Sequence, residues 1–307
     1  MHTRPPTGTL ALLAPRYWPT WLAFGLLWGV TRLPFRLQMA CGDLIGALAW
    51  RFGRRRRHIA AVNLALCFPD LDAAARRTLL RRHFSSLGRG VVETALCWWG
   101  RERQLRDKVQ ITGLQHLQAA QAGGKGVILL SAHFTTLEIG GRLLALHAPF
   151  HVLYRPHKNA LFERVMQRAR RRRFEKAIPR SDTRALLASL RHNLPVWYAP
   201  DQNHGGSHSI FVPFFGVPAS TITSTAKLAA LSGAAVVPFF QMRLPGDEGY
   251  LLTLCPALED FPGQDVEAAT ARLNHLFEAV IREMPEQYLW VHRRFKTRPL
   301  GEADPYG

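Results

Sequence analysis

Residues 123–144 read GGKGVILLSAHFTTLEIGGRLL. The run from Val127 to Leu130 is apolar at every position. That is the pattern of a strand buried on both faces of a parallel sheet, not of a half-exposed strand. Ser131, Ala132 and His133 follow, then Thr135, Thr136 and Glu138, then apolar residues at helical spacing. A polar residue just past the carboxyl end of a parallel strand sits where open α/β sheets bind ligands. His133 is therefore the first candidate for chemistry. Glu138 lies five residues on, and at about 100° per residue the two would stand roughly 140° apart on one helix. They meet only if His133 lies in the loop and Glu138 in the first helical turn, reaching back. A carboxylate so placed fixes the imidazole tautomer and stabilises the imidazolium. The same residues have a plainer reading, in which Thr135-x-x-Glu138 is a capping box and His133 an ordinary loop histidine.

The alternation of strand and helix runs outward from this stretch. VQITGL from Val109, HVLYRP from His151, PVWYAPD from Pro195, AAVVPFFQMR from Ala234 and YLLTLCPAL from Tyr250 read as strands. Helical patterns begin at Ala160, where Leu161, Val165 and Met166 form the apolar stripe, at Ile222 and at Val266. IFVPFFG from Ile210 reads as an apolar loop broken by proline. Residues 58–106 read as helices divided by a turn at Pro69-Asp70. There are no internal repeats and no long linker. Such a rhythm specifies a mostly parallel sheet with helices on both faces.

The amino-terminal region has a different composition. A polar leader precedes an uninterrupted apolar run over residues 21–30, short of the ~20 residues of a straight membrane span. Trp18, Trp21 and Trp28 suit the bilayer interface, and Arg16, Arg32 and Arg36 flank the run. The expectation is a helix that inserts marginally as a transmembrane segment or lies in the interface, with a cleaved signal peptide as the rival. A second apolar stretch carries Asp43 and reads as a packed helix. Four consecutive arginines, residues 54–57, follow it; beside an apolar segment they mark the cytoplasmic side of a membrane or bind anionic headgroups, with a solvated charge run as the plainer alternative.

Net charge is +18. A charge of that size excludes an enzyme with only neutral small-molecule partners. It leaves nucleic acid, an anionic membrane, or an acidic protein and phosphorylated substrate. Aromatic residues lie in apolar runs, not interleaved with basic ones, which counts against nucleic acid. Cys41, Cys67, Cys97 and Cys255 form no C-x-x-C pair, so a reducing compartment is expected and no metal site is read from them.

Three more polar groups follow strand ends. Arg155, before Pro156, suits a phosphate or carboxylate, although taken alone it reads more simply as a surface arginine. Asp201 opens the loop DQNHGGSH, and with His204 and His208 it offers a metal-hydrolase alternative, weakened by the lack of any paired metal-ligand motif. The terminal YLWVHRRFKTRP, from Tyr288, is basic yet rich in large apolar residues and reads as a docked segment.

Taken together, HFTTLE, YRPHKN, VWYAPDQNHG, IFVPFFG, VVPFF and EQYLWVHRRFKTRP resemble, in order, the late lauroyl and myristoyl acyltransferases of lipid A biosynthesis. These belong to the wider lysophospholipid acyltransferase superfamily, with its H-x4-D/E motif. The resemblance implies a three-layer αβα fold like that of glycerol-3-phosphate acyltransferases. It implies residues 1–53 as a membrane-anchoring or interfacial segment and residues 54–307 as the acyltransferase domain. It implies His133 as general base with Glu138 assisting, and Arg155, Arg170 and Asp201 in substrate binding. Acyl-acyl carrier protein would be the co-substrate, with no cofactor and no metal. The acceptor would be a hydroxyl of a 3-hydroxyacyl chain on an anionic, Kdo-bearing lipid A precursor. The site would face the cytoplasm at the bacterial inner membrane. The wording is nearest the lauroyl branch. A glycerophospholipid acyltransferase is the alternative, although no F-P-E-G-T-R-like block is present.

Overall fold

The computed structural model describes residues 10–172, 174, 176–246 and 248–307. Most of the polar leader and Arg173 lie outside them. Helices come first: α1 (Trp18–Val30), α2 (Phe35–Phe52), α3 (Arg54–Cys67), α4 (Ala73–Trp99) and α5 (Glu102–Arg106). Then strands and helices alternate: β1 (Val109–Thr112), α6 (Leu114–Ala122), β2 (Val127–Leu130), α7 (Leu137–Leu144), β3 (His151–Tyr154), α8 (Ala160–Arg171), β4 (Lys176–Pro179), α9 (Thr183–Arg191) and β5 (Pro195–Tyr198). The chain closes with β6 (Ser209–Phe214), β7 (Val217–Ile222), α10 (Ser224–Ser232), β8 (Ala235–Arg243), β9 (Tyr250–Leu254) and α11 (Val266–Glu283).

Seven strands form one sheet in the order β1-β9-β8-β2-β5-β3-β4. Every pair is parallel except β8 with β9. The residues of β2 alternate between two cores, as the strand period requires. Ile128 and Leu130 join Val196, Val236, Phe240, Leu273 and Phe277 on one face. Val127 and Leu129 join Val152, Trp197, Val237, Leu143 and Leu161 on the other. An apolar run without alternation is what a strand covered by helices on both sides needs.

Two details depart from the sequence reading. IFVPFFG is not a loop but part of the antiparallel hairpin β6–β7. Phe215 (φ 50°) and Gly216 (φ 75°) make its turn, the positive-φ pair a tight hairpin needs. Pro213 is tolerated because a two-stranded ribbon has free edges. The edge strand β4 was not anticipated, because Lys176 and Pro179 mask a strand of four residues.

The helical N-terminal region is docked, not detached. Asp43, which interrupts the apolar stretch, accepts from Arg89 of α4 at 2.7 and 2.8 Å. The helices approach closely through glycines: a Cβ on Gly88 would stand 2.1 Å from the carbonyl oxygen of Gly42 and 2.3 Å from the nitrogen of Gly46. Helix α1 has 13 residues, about 20 Å at 1.5 Å per residue. No helix among the described residues is long and apolar enough to cross a membrane, which corrects the expectation of a transmembrane segment.

Gly88→Ala is expected to force α2 from α4 and to lower stability by about 1–3 kcal/mol. Gly25→Ala, whose Cβ would meet nothing within 4 Å, is expected to be neutral or slightly stabilising. Thermal unfolding of both variants checks the contrast; equal midpoints would refute it.

Candidate active site

The parallel pairing of β2 with β5 runs Leu130 opposite Tyr198 and continues as the Ser131 N–H donating to the Tyr198 carbonyl at 2.9 Å. His133 and Asp201 each lie three residues past these paired ends, so register alone brings them together. The Nδ1–H of His133 donates to Asp201 Oδ1 at 2.6 Å, and its backbone N–H donates to Oδ2 at 3.0 Å. The Tyr288 hydroxyl also donates to Oδ2, at 3.0 Å. Asp201 is 1% exposed, whereas the His133 side chain is 26% exposed. An ionised carboxylate only accepts, so Nδ1 carries the proton and Nε2 presents its lone pair. Nε2 has no hydrogen-bond partner among the described residues.

The two groups hold each other's charge. Burial works against a charged His133, but the charge and hydrogen bond of Asp201 outweigh it, and the imidazole pKa lies above its usual 6.5. Burial likewise raises the Asp201 pKa, but His133 and the donors on both oxygens bring it below 3.8.

Glu138 does not make the contact its spacing suggested. It sits in the first turn of α7 as expected, but its carboxylate pairs with Arg170 in the last turn of α8. Arg170 also lies over the Tyr154 ring, 5.5 Å from its centroid. The physical reason is the side of the sheet. Glu138 points among α4 and α8, where Cys97 feels its charge, while His133 and Asp201 meet Tyr288 over the opposite core. The capping box does not form either. The Thr135 hydroxyl shares a hydrogen with Ser86 at 2.7 Å, and Thr136 at the helix start donates to the Gln241 carbonyl at 3.1 Å.

Arg155 follows β3, exposed, at the same carboxyl edge of the sheet as His133 and Asp201. Arg180 follows β4 there, its N–H donating to the Tyr154 carbonyl; the overlooked strand hid it. The rest of the aspartate loop does not assemble a metal site. Among the described residues no three His, Cys, Asp or Glu side chains stand together as a metal would require, and His208 is exposed. The terminal segment is docked: Arg294 is 1% exposed and donates to the Ser220 carbonyl at 2.8 Å and to the Thr221 hydroxyl at 2.6 Å. His292 accepts the Asn203 N–H at 3.1 Å, and burial takes its pKa down to about 4. Sequence reasoning missed Tyr288 as a partner of Asp201, because nothing local to either residue signals the contact.

Residues 6–297 match the family model of bacterial lipid A biosynthesis acyltransferases. A lauroyltransferase of lipid A biosynthesis from Escherichia coli strain K12 is 39% identical over 99% of this chain and 100% of its own length. A palmitoleoyltransferase of lipid A biosynthesis from the same strain is 41% identical over 96% of each chain. A myristoyltransferase from that strain is 28% identical over 95% of this chain and 91% of its own.

If His133 acts as a base it must be neutral, so activity should rise with pH through an acid limb above 6.5. Asp201→Asn removes the charge that raises the pKa and leaves burial, which lowers it. The limb should then move down, while kcat falls roughly 10²–10⁴-fold as the tautomer is lost. Glu138→Gln should leave the limb in place. pH–rate profiles of the three proteins decide; a limb that follows Glu138 and ignores Asp201 would return the partnership to Glu138.

Proposed function

Because the chain belongs to the bacterial lipid A biosynthesis acyltransferases, we propose that it transfers a secondary fatty acyl chain from acyl-acyl carrier protein to a lipid A precursor. The acceptor is a hydroxyl of a 3-hydroxyacyl chain on the Kdo-bearing precursor. The observation that carries this reading is the His133–Asp201 hydrogen bond, which leaves Nε2 as a base at the sheet edge. His133 takes the acceptor proton, and the oxygen attacks the thioester carbonyl. Asp201 holds the tautomer and stabilises the imidazolium. The thiolate of the carrier leaves as the tetrahedral intermediate collapses, accepting the proton from His133.

No enzyme-bound acyl intermediate is invoked. A thioester is already activated, and burial pushes the Cys67 and Cys97 thiols well above their usual range, so neither is a thiolate. Arg155 and Arg170 bind the anionic substrate, with Glu138 holding the Arg170 guanidinium in place. Both substrates are acidic, which accounts for the net charge of +18. The relatives named for lauroyl and palmitoleoyl transfer are about equally similar, so similarity favours neither chain length.

The reading includes the cytoplasmic face of the inner membrane. Trp18, Leu22 and Leu26 on α1, and Leu44, Leu48 and Phe52 on α2, recur every four residues and are between 51% and 74% exposed. Two such stripes on adjacent helices, neither able to span, suit burial in one leaflet with arginines at the headgroups. Arg32 and Arg51 already lie over the Trp28 and Phe52 rings.

Mass spectrometry of lipid A from a strain lacking the gene tests the activity. Loss of one secondary acyl chain is expected, restored by the wild-type chain and not by His133→Ala. Unchanged lipid A in the deletion strain would refute the assignment. The membrane contact has its own test: Leu22→Glu with Leu48→Glu should cut co-sedimentation with phosphatidylglycerol vesicles at least several-fold without loss of fold.

A further inference from the structure

We infer that the carboxyl-terminal segment is part of the catalytic apparatus and that Tyr288 is a positioning residue that sets the basicity of His133. The inference rests on the acyl-transfer reading for its kinetic consequence but not for its geometry.

After α11 the chain makes a tight turn at Pro285–Gln287 and runs beside the loop that follows β2. The Thr135 N–H donates to the Gln287 carbonyl at 2.7 Å, and the Leu289 N–H donates to the His133 carbonyl at 2.9 Å. Phe134 and Tyr288 form an antiparallel bridge with their rings 5.8 Å apart. The loop carrying His133 thus has its backbone paired on one side by a segment distant in sequence. That segment is itself fastened. The Gln287 side-chain amide accepts the Arg243 N–H at 2.8 Å and donates to the Arg243 carbonyl at 2.9 Å. Asn63 of α3 donates to the Trp290 and His292 carbonyls at 2.6 and 2.7 Å. A loop on its own would let the imidazole wander; four anchors to the sheet and to α3 prevent it.

Tyr288 adds a chemical effect to this mechanical one. It is 4% exposed. Burial first, and then the Asp201 charge, push its hydroxyl well above the usual phenol range, so it stays a donor at any working pH. Asp201 therefore spends one oxygen on the imidazole and divides the other between a backbone N–H and the phenol. A donor on the second oxygen withdraws charge that would otherwise stabilise the imidazolium. Tyr288 consequently moderates the rise in the His133 pKa and keeps more of the base neutral near neutral pH. It touches no reacting atom, so its action runs through Asp201.

Tyr288→Phe tests this, since it deletes the hydroxyl and keeps the ring that packs on Phe134. The expected result is a fall in kcat of roughly tenfold with KM within about twofold, and an acid limb moved to higher pH. Direct NMR titration of the His133 imidazole in the free protein should show the same upward shift. Tyr288 replaced by 3-fluorotyrosine, a stronger donor of nearly the same size, should move both downward. A purely structural tyrosine would lower activity without moving either value. An unshifted imidazole titration in both variants overturns the inference. The titration is read without substrate, so it stays decisive even if the wild-type protein shows no acyl transfer. Failure of transfer would count against the proposed function instead.

Discussion

The in-register parallel pairing of β2 with β5 is the constraint on which the site depends. Leu130 stands opposite Tyr198, and the next N–H continues the ladder. Whatever lies a few residues beyond each strand end must then share one edge of the sheet. His133 and Asp201 meet for that reason and not because either sequence neighbourhood encodes the contact. A one-residue slip would turn every side chain of β2 to the wrong core and separate the pair. Register is held firmly because both faces of β2 are fully buried.

A second buried ionic system stabilises the frame without joining the chemistry. Arg243 at the end of β8 makes a bidentate pair with Glu93 of α4 at 2.6 and 2.7 Å, and Tyr250 donates to the same carboxylate at 2.8 Å. Burial alone would make Arg243 less basic, but Glu93 raises its pKa above the usual value, so the pair stays charged. Nη1 of Arg243 donates to Ser86, whose oxygen meets Thr135 beside His133. The network joins α4, the sheet and the loop that carries the base. Breaking such a pair by removing one partner typically costs about 3–5 kcal/mol.

The arginines that dominate the composition divide by role once the fold is known. Arg89, Arg243 and Arg294 are consumed by carboxylates, carbonyls and hydroxyls within the protein. Arg155 and the four arginines that begin α3 remain at the surface or near it. The gross count of 40 lysines and arginines therefore overstates the cations free to meet a partner, and it does not say which arginines those are.

Much of the architecture was legible from local pattern. The unbroken apolar run of β2, the strand–helix rhythm, the helical stripes and His133 at a strand end follow from periodicity and from where α/β sheets place ligands. The ordered blocks pointed to the acyltransferase family. The hairpin at Ile210 and strand β4 escaped because prolines and charged residues in short edge strands imitate loops. What local pattern did not contain was pairing. The sequence determined which residues lie at the carboxyl ends of the strands, because side-chain period and strand length are local properties. Only the tertiary structure decided that Asp201, not Glu138, holds His133, and that Tyr288 holds Asp201. The reason is physical: α7 turns Glu138 toward Arg170 on one side of the sheet, while strand register and the returning carboxyl-terminal segment close on the other.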